Sequence, residues 1–406
     1  MGWTLLRTNT AFRGLWLAYA GSVLGSWFNQ IALALVTLRL THSPAAMGFV
    51  LLARNAPMIM LGPFVGPLVE RKSKRRIMFL TDLVRAGVAG SFIIAIVFHS
   101  MTLVFIAATL LGTVSVFFAP AREAAIPQVV ATDQLVVANA LSSQTGALAQ
   151  ILGAACGGIL ANANPILCFG LDALSYLWSA AIIARTYWVE PMINHQRSPY
   201  TRRLLEGLLE VRANRIARAM IIIGISWGLA GGGYYILVPV LAQNVYHMGA
   251  IGIGVLYVVD GIGVWMGAYS VSRWVGLPSR RAYIWYGLAY LTQAIFFGLM
   301  AEAKMLIVGA VFLLGMRISS GIIIPLDAGL LQLHVPRPFQ GRVFALHDAT
   351  YGSVMQLSYI VVGWAFQHFG YQRVGLIVGL VSGLCGVFWL SQRRYWAVTN
   401  PIHRVS

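Results

Sequence analysis

The sequence predicts an all-α membrane protein, twelve transmembrane helices in two six-helix pseudo-repeats, on three observations. Of its 406 residues, 58% are hydrophobic and only 10% charged, and the mean hydropathy of +0.75 lies outside the range of soluble domains. About a dozen apolar stretches lie between Ala11 and Ser391, each close to the roughly 20 residues that a hydrocarbon core requires. The basic residues gather in alternate loops, most densely between Gly66 and Met78, where Arg71, Lys72, Lys74, Arg75 and Arg76 stand between two long apolar runs. Such density between spans marks a cytoplasmic loop.

The first span is expected over about Phe12 to Leu40 and the second over about Ala46 to Val69, after a turn at Thr41 to Ala45. The basic loop leads to spans at about Ile77 to Phe98, Leu103 to Ala121, Asn139 to Ala161 and Pro165 to Tyr187. A hydrophilic stretch, Val189 to Arg218, then separates the halves. Within it Leu204, Leu205, Leu208, Leu209 and Val211 alternate with charges at helical spacing, which predicts an amphipathic helix on the membrane surface. Six more spans follow at about Ala219 to Val245, Ile251 to Val275, Ala282 to Met300, Leu306 to Leu330, Val343 to Phe369 and Val374 to Leu390. The domains are thus residues 1–188, a linker at 189–218 and residues 219–406, with both termini cytoplasmic. The first span, long and without a cleavage site, is expected to be retained as a signal anchor.

The halves echo one another. Pro127-Gln128-Val129-Val130 and Ala138-Asn139-Ala140-Leu141 find counterparts in Leu331-Gln332-Leu333-His334 and Val343-Phe344-Ala345-Leu346, an offset of 204 to 205 residues. With the six-plus-six count this predicts two parallel repeats.

The net charge of +17 lies in short loops between apolar spans rather than along one soluble face, so topology explains it and a nucleic-acid partner is not expected. Cys156, Cys168 and Cys385 all fall in spans and suit packing, not disulfides. His42, His99, His247 and His334 have no metal spacing, and the phosphate-loop motif of ATPases is missing. No enzyme, catalytic residue, metal or cofactor is expected.

The basic loop resembles the signature G-x-L-x-D-R-x-G-R-R of the major facilitator superfamily, carried here by Gly66, Leu68, Glu70, Arg71, Lys74 and Arg75. Glu70 replaces the usual Asp and Ser73 the usual Gly. Gly153-Ala154-Ala155-Cys156-Gly157-Gly158 is similar to the G-P-x-x-G-G motif of the family's antiporters, without its proline. Small residues at Gly153, Gly157 and Gly158 equally suit plain close packing of helices. Pro120-Ala121-Arg122-Glu123 with Pro127, and Val335-Pro336 with Gly341-Arg342-Val343-Phe344, resemble the branch that holds the enterobactin exporter and macrolide efflux proteins.

Charges inside a bilayer are costly and so are paired, solvated or used. The deep ones noted are Arg54, Asp172, Asp260 and Arg317. Asp260 and Arg317 lie near mid-span in the same half, and they suit either proton coupling or a static ion pair. Asp172 suits proton transfer or a structural hydrogen bond. Arg54 suits an outer gate or an anionic group of a substrate. Asp82, Arg85, Arg122 and Glu123, with Glu70, Arg71, Arg75 and Arg342, are expected at an inner gate. The family's cavity helices would offer Trp27, Phe28, Asn29, Gln30, Phe117, Phe118, Trp227, Tyr234 and Tyr235, an aromatic lining suited to bulky lipophilic molecules.

The resemblance implies a monomeric secondary exporter of the bacterial cytoplasmic membrane, exchanging protons for a small amphipathic compound such as a drug-like molecule or a siderophore. A lipid or lysolipid translocator and a non-transporting membrane sensor or scaffold are the alternatives.

Overall fold

In the computed structural model, residues 2–131, 134–190, 208–275 and 279–396 are described. A short helix α1 (Gly2–Thr8) precedes α2 (Thr10–Thr41), α3 (Pro44–Arg71), α4 (Lys74–Val97), α5 (Met101–Ser115), α6 (Phe118–Val129), α7 (Leu135–Ala163) and α8 (Pro165–Arg185). After the linker come α9 (Arg215–Val240), α10 (Gly249–Ser270), α11 (Arg280–Glu302), α12 (Leu306–His334), α13 (Arg337–Phe369) and α14 (Tyr371–Ser391). The predicted amphipathic helix of the linker lies largely outside the described residues.

Eleven spans among the described residues are long and apolar enough to cross a membrane. Every predicted span has a helix, and the one that falls short in apolarity is α13. Its length suffices, but Arg342, His347, Asp348, Gln356, Ser358 and Gln367 punctuate it. Helices suit this solvent because they satisfy every interior backbone group without water.

Local chemistry sets the ends. Asn9, Ser43, Ser73, Ser100, Asn164 and Ser279 occupy N-caps, their side-chain oxygens accepting backbone N–H groups at the helix starts. His42 and His99 close α2 and α4 in the left-handed region (φ 50° and 49°), a role that the sequence reading did not assign to them. The fourth span was expected to run unbroken from Leu103 to Ala121; instead the α-helix stops at Ser115 and restarts at Phe118. At the end of α9, Pro239 lacks the N–H needed by the preceding turn. Two residues later the chain is wound as a π-helical turn, Leu241–Val245, in which Tyr246 N donates to Leu241 O at 2.8 Å.

Two compact units result. One comprises Met1–Gln196 with Pro239–Val258, the other Arg197–Val238 with Val259–Ser406. In the first unit close approaches run along α7. A Cβ on Gly153 would lie 2.6 Å from Trp27 Cβ, and one on Gly158 would lie 2.8 Å from the Ala250 carbonyl oxygen and 3.1 Å from Gly254 Cα. The second unit has its own seam, where Gly263 and Gly267 of α10 meet Gly321 and the backbone of α12. Small residues let helix backbones meet in this way.

The repeat is visible at the level of single bonds. In the first unit Asn9 caps α2 through Phe12 N (2.9 Å) while its Nδ2 donates to Val129 O at 2.6 Å. In the second, Asn214 caps α9 through Ala217 N (3.0 Å) while its Nδ2 donates to His334 O, also at 2.6 Å. Both pairs are related by the same 205-residue offset. Each Asn ties the start of its unit's first span to the end of its fourth. Asn9→Ala and Asn214→Ala are each expected to cost about 1 kcal/mol from the lost cap alone, read as a lowered melting temperature in detergent, and the double variant is expected to be additive because the bonds are independent.

Candidate functional site

The second unit holds the predicted pair. Asp260, on α10, is 3% exposed, and Arg317 of α12 donates through Nε to its Oδ1. The glycine seam makes this contact possible: a Cβ on Gly263, one turn from Asp260, would sit 2.7 Å from Arg317 Cβ. The guanidinium also lies 4.8 Å from the ring centre of Tyr234, and its Nη1 reaches Ser320 Oγ at 3.4 Å. Ser320 accepts from Gln293 Nε2 at 2.7 Å, and Gln293 accepts from Ser382 Oγ at 3.1 Å. The pair is therefore wired through α11 to α14.

A second cluster in this unit escaped the sequence reading. Asp327, on α12, accepts from Tyr286 Oη at 2.5 Å, and its other oxygen lies 3.4 Å from His347 Nε2 on α13. His347 Nδ1 in turn is 3.5 Å from Asp348. Gly224 on α9 leaves room for the ring: a Cβ there would be 3.2 Å from His347 Nε2. Asp327 was legible as one more acid within an apolar span, whereas its partner came only with the packing of α13.

In the first unit the deep charges form one buried network. Asp82 and Arg85 on α4 are bonded at 3.2 Å, and Arg85 also donates to Tyr176 Oη at 3.2 Å while lying 4.1 Å over that ring. Asp172 is fully buried, with Arg54 and Arg85 as charged neighbours. Arg54 donates to Asn29 Oδ1 at 2.5 Å. Asn29 was expected to line an open cavity; it is 0% exposed, because it serves Arg54 instead. Tyr234 likewise is buried, under Arg317.

The other expected lining residues divide. Trp27 stands edge-on to Tyr257 at 5.6 Å and Trp227 edge-on to Tyr290 at 6.3 Å. Phe28 closes on Gly157, Tyr235 is edge-on to Tyr359 at 6.3 Å, and Phe117 packs on the core beside the basic end, with Phe118 itself buried. Gln30 is half-buried on α2.

At the basic end of the first unit, the surroundings of Gly66 and the side chains of Glu70 and Arg71 fall outside what is described. Arg75 caps the end of α8, donating to the carbonyls of Ile183 (3.2 Å) and Ala184. Glu190, not singled out from sequence, accepts from Lys74 N and Arg75 N, both at 2.8 Å, and from Ser73 Oγ at 3.1 Å. A carboxylate at the N-terminus of α4 is well placed for the helix dipole. Arg122 is stacked on Tyr19 at 3.8 Å, with Glu123 exposed beside it, and Arg342 lies 5.3 Å from the Phe339 ring.

Paired six-span repeats with charges held in mid-span define a multi-pass membrane transporter of the major facilitator kind, not an enzyme. The chain belongs to the transmembrane secretion effector family, whose model matches residues 2–390. It is similar to a Bacillus subtilis protein named for bacilysin export, BacE (26% identity; 82% of this chain, 83% of the relative). It is also similar to macrolide efflux protein A of Streptococcus pyogenes (22%; 86% of each chain) and to the lysophospholipid transporter LplT of Serratia proteamaculans (24%; 84% and 85%). The nucleoside transporter NupG shares the fold, with a TM-score of 0.77 at 9% identity over 94% of this chain and 99% of that one.

Truncating one member of the Asp260–Arg317 pair is expected to cost about 3–5 kcal/mol, since the partner charge stays buried. Arg317→Met should therefore unfold at markedly lower denaturant in detergent, and Arg317→Met with Asp260→Leu should recover most of the loss.

Proposed function

We propose that the protein is a secondary exporter of the bacterial cytoplasmic membrane, moving a small amphipathic compound outward by alternating access in exchange for protons. The observation that carries this reading is the buried Asp260–Arg317 pair, joined to a hydrogen-bonded chain that reaches α14. A buried carboxylate beside a guanidinium can be ionised against the arginine or protonated and released from it, burial favouring the second state and the arginine the first. Exchange between those states is the chemistry that couples a proton to a conformational change. The Asp327–His347 pair, on the same unit, is a second group able to hold a proton.

The relatives named for bacilysin export and macrolide efflux support an outward direction and a drug-like cargo. The basic loop supports a cytoplasmic placement of that end, and with it both termini inside. The relative named for lysophospholipid transport favours a second reading, translocation of a lysolipid. A monomer suffices for either reading, because each buried charge described above has its neighbours within its own chain.

The test is efflux from inside-out vesicles of macrolides, lipophilic cations and catecholate siderophores, with and without a pH gradient, in wild type and Asp260→Asn. Gradient-driven flux is expected in wild type, falling at least about tenfold in the variant, the scale of one lost charge-assisted interaction. Gradient-driven flux unchanged in Asp260→Asn returns the pair to a structural role. Flux of lysophosphatidylethanolamine in place of the drug panel selects the second reading.

A further inference from the structure

The first unit contains an open cleft of about 470 Å³, lined by Tyr19, Arg122, Glu123, Asn139, Ser142 and Ser143. Three helices build it: α2 gives Tyr19, α6 gives Arg122 and Glu123, and α7 gives the amide and the two hydroxyls. Arg122 is the unusual member. Its guanidinium lies 3.8 Å above the Tyr19 ring, and among the described residues no ion pair or hydrogen bond of its side chain is found. A guanidinium stacked on an aromatic ring keeps its in-plane N–H donors free for a ligand.

The platform under it is built rather than incidental. Tyr19 lies against α7 at Gly146, where a Cβ would come within 2.9 Å of the phenol oxygen. One turn earlier on α2, Trp16 Nε1 donates to Thr145 Oγ1 at 2.7 Å, holding the same two helices in register. Arg122 therefore faces a cleft whose opposite wall offers an amide and hydroxyl groups. The 205-residue repeat sharpens the point: the counterpart of Arg122 is Asp327, that of Ser142 is His347 and that of Tyr19 is Gly224. The second unit thus carries an acid at the equivalent position, already engaged by Tyr286. At this position the cation belongs to the first unit and the acid to the second.

We propose that this cleft is a binding site for the carboxylate or phosphate group of the transported compound, with Arg122 as the bidentate anchor, Tyr19 as its platform, and Asn139 and Ser143 as donors, the Ser142 hydroxyl being committed to the Ala138 carbonyl. The site rests on the exporter reading and gives its cargo a chemical class: an amphipathic molecule bearing one anionic group. Glu123 on the rim opposes a second negative charge, which selects monoanions and zwitterions over dianions.

The test is binding to the full-length protein in neutral detergent, read by energy transfer from tryptophan to a dansyl probe. Three probes share one body: dansylglycine (anionic), dansylglycinamide (neutral) and dansylethylenediamine (cationic). Dansylglycine is expected to bind about tenfold tighter than its amide, the usual worth of a hydrogen-bonded charge pair. Arg122→Gln should abolish that preference and Arg122→Lys keep part of it. Gly146→Ala, which displaces Tyr19 without touching a charge, should weaken it, and Glu123→Gln should strengthen it. Melting temperatures of the variants check that each is folded. Equal binding of acid and amide to wild type, or a preference that survives Arg122→Gln, overturns the site. A charge preference in a protein that transports none of the vesicle cargoes keeps the cleft and removes the exporter reading; efflux with no charge preference does the reverse.

Discussion

The cost of a charge in a hydrocarbon surround governs this molecule. An ion that has left water must find a counter-charge, a hydrogen bond or an aromatic face, or it drives its helix out of the membrane. Asp260 has Arg317, Asp82 has Arg85, Asp327 has His347 and Tyr286, and Arg54 has Asn29. Those needs determine which helices stand together. The glycines of α10 and the serines of α12 are consequences, since they bring the backbone close enough for Arg317 to reach its acid and keep a second donor bond.

The two units meet this constraint differently while sharing one plan. The Asn9 and Asn214 clamps are alike in kind and in length, so the frame of the repeat is kept where it holds spans together. The interior charges are not repeated. The first unit has a ring-stacked network of Asp82, Arg85 and Tyr176, and the second has the Asp260–Arg317 pair and a histidine cluster. Frame residues answer to backbone bonds common to both halves, whereas interior charges answer to what each half handles. That division is what a transporter built from duplicated bundles requires.

Much of this was legible in the chain. Span positions came from apolar length, and the Asp260–Arg317 pairing from similar depth in one half. The family came from the basic loop and the two proline-bearing motifs. Residues whose role depends on a neighbour far away in sequence were not legible. Glu190 stands in a hydrophilic segment like any surface acid, and only folding brings it 2.8 Å from Lys74 N and Arg75 N. Asn29 reads as a polar residue on a cavity helix until Arg54 claims it.

The sequence by itself determined the solvent, the number of spans, the repeat and the family, because hydropathy, loop charge and motif spacing are local or periodic and act the same whatever surrounds them. Apart from Asp260 and Arg317, it was tertiary structure that decided which buried charges are partners and which stay open. Arg122 and Arg85 look alike in the chain, both on apolar helices near an acid. Packing buries one against Asp82 and Tyr176 and leaves the other stacked on Tyr19 at the edge of a cleft. The difference is one of distance and orientation between helices, and neither quantity is written in the order of residues along one of them.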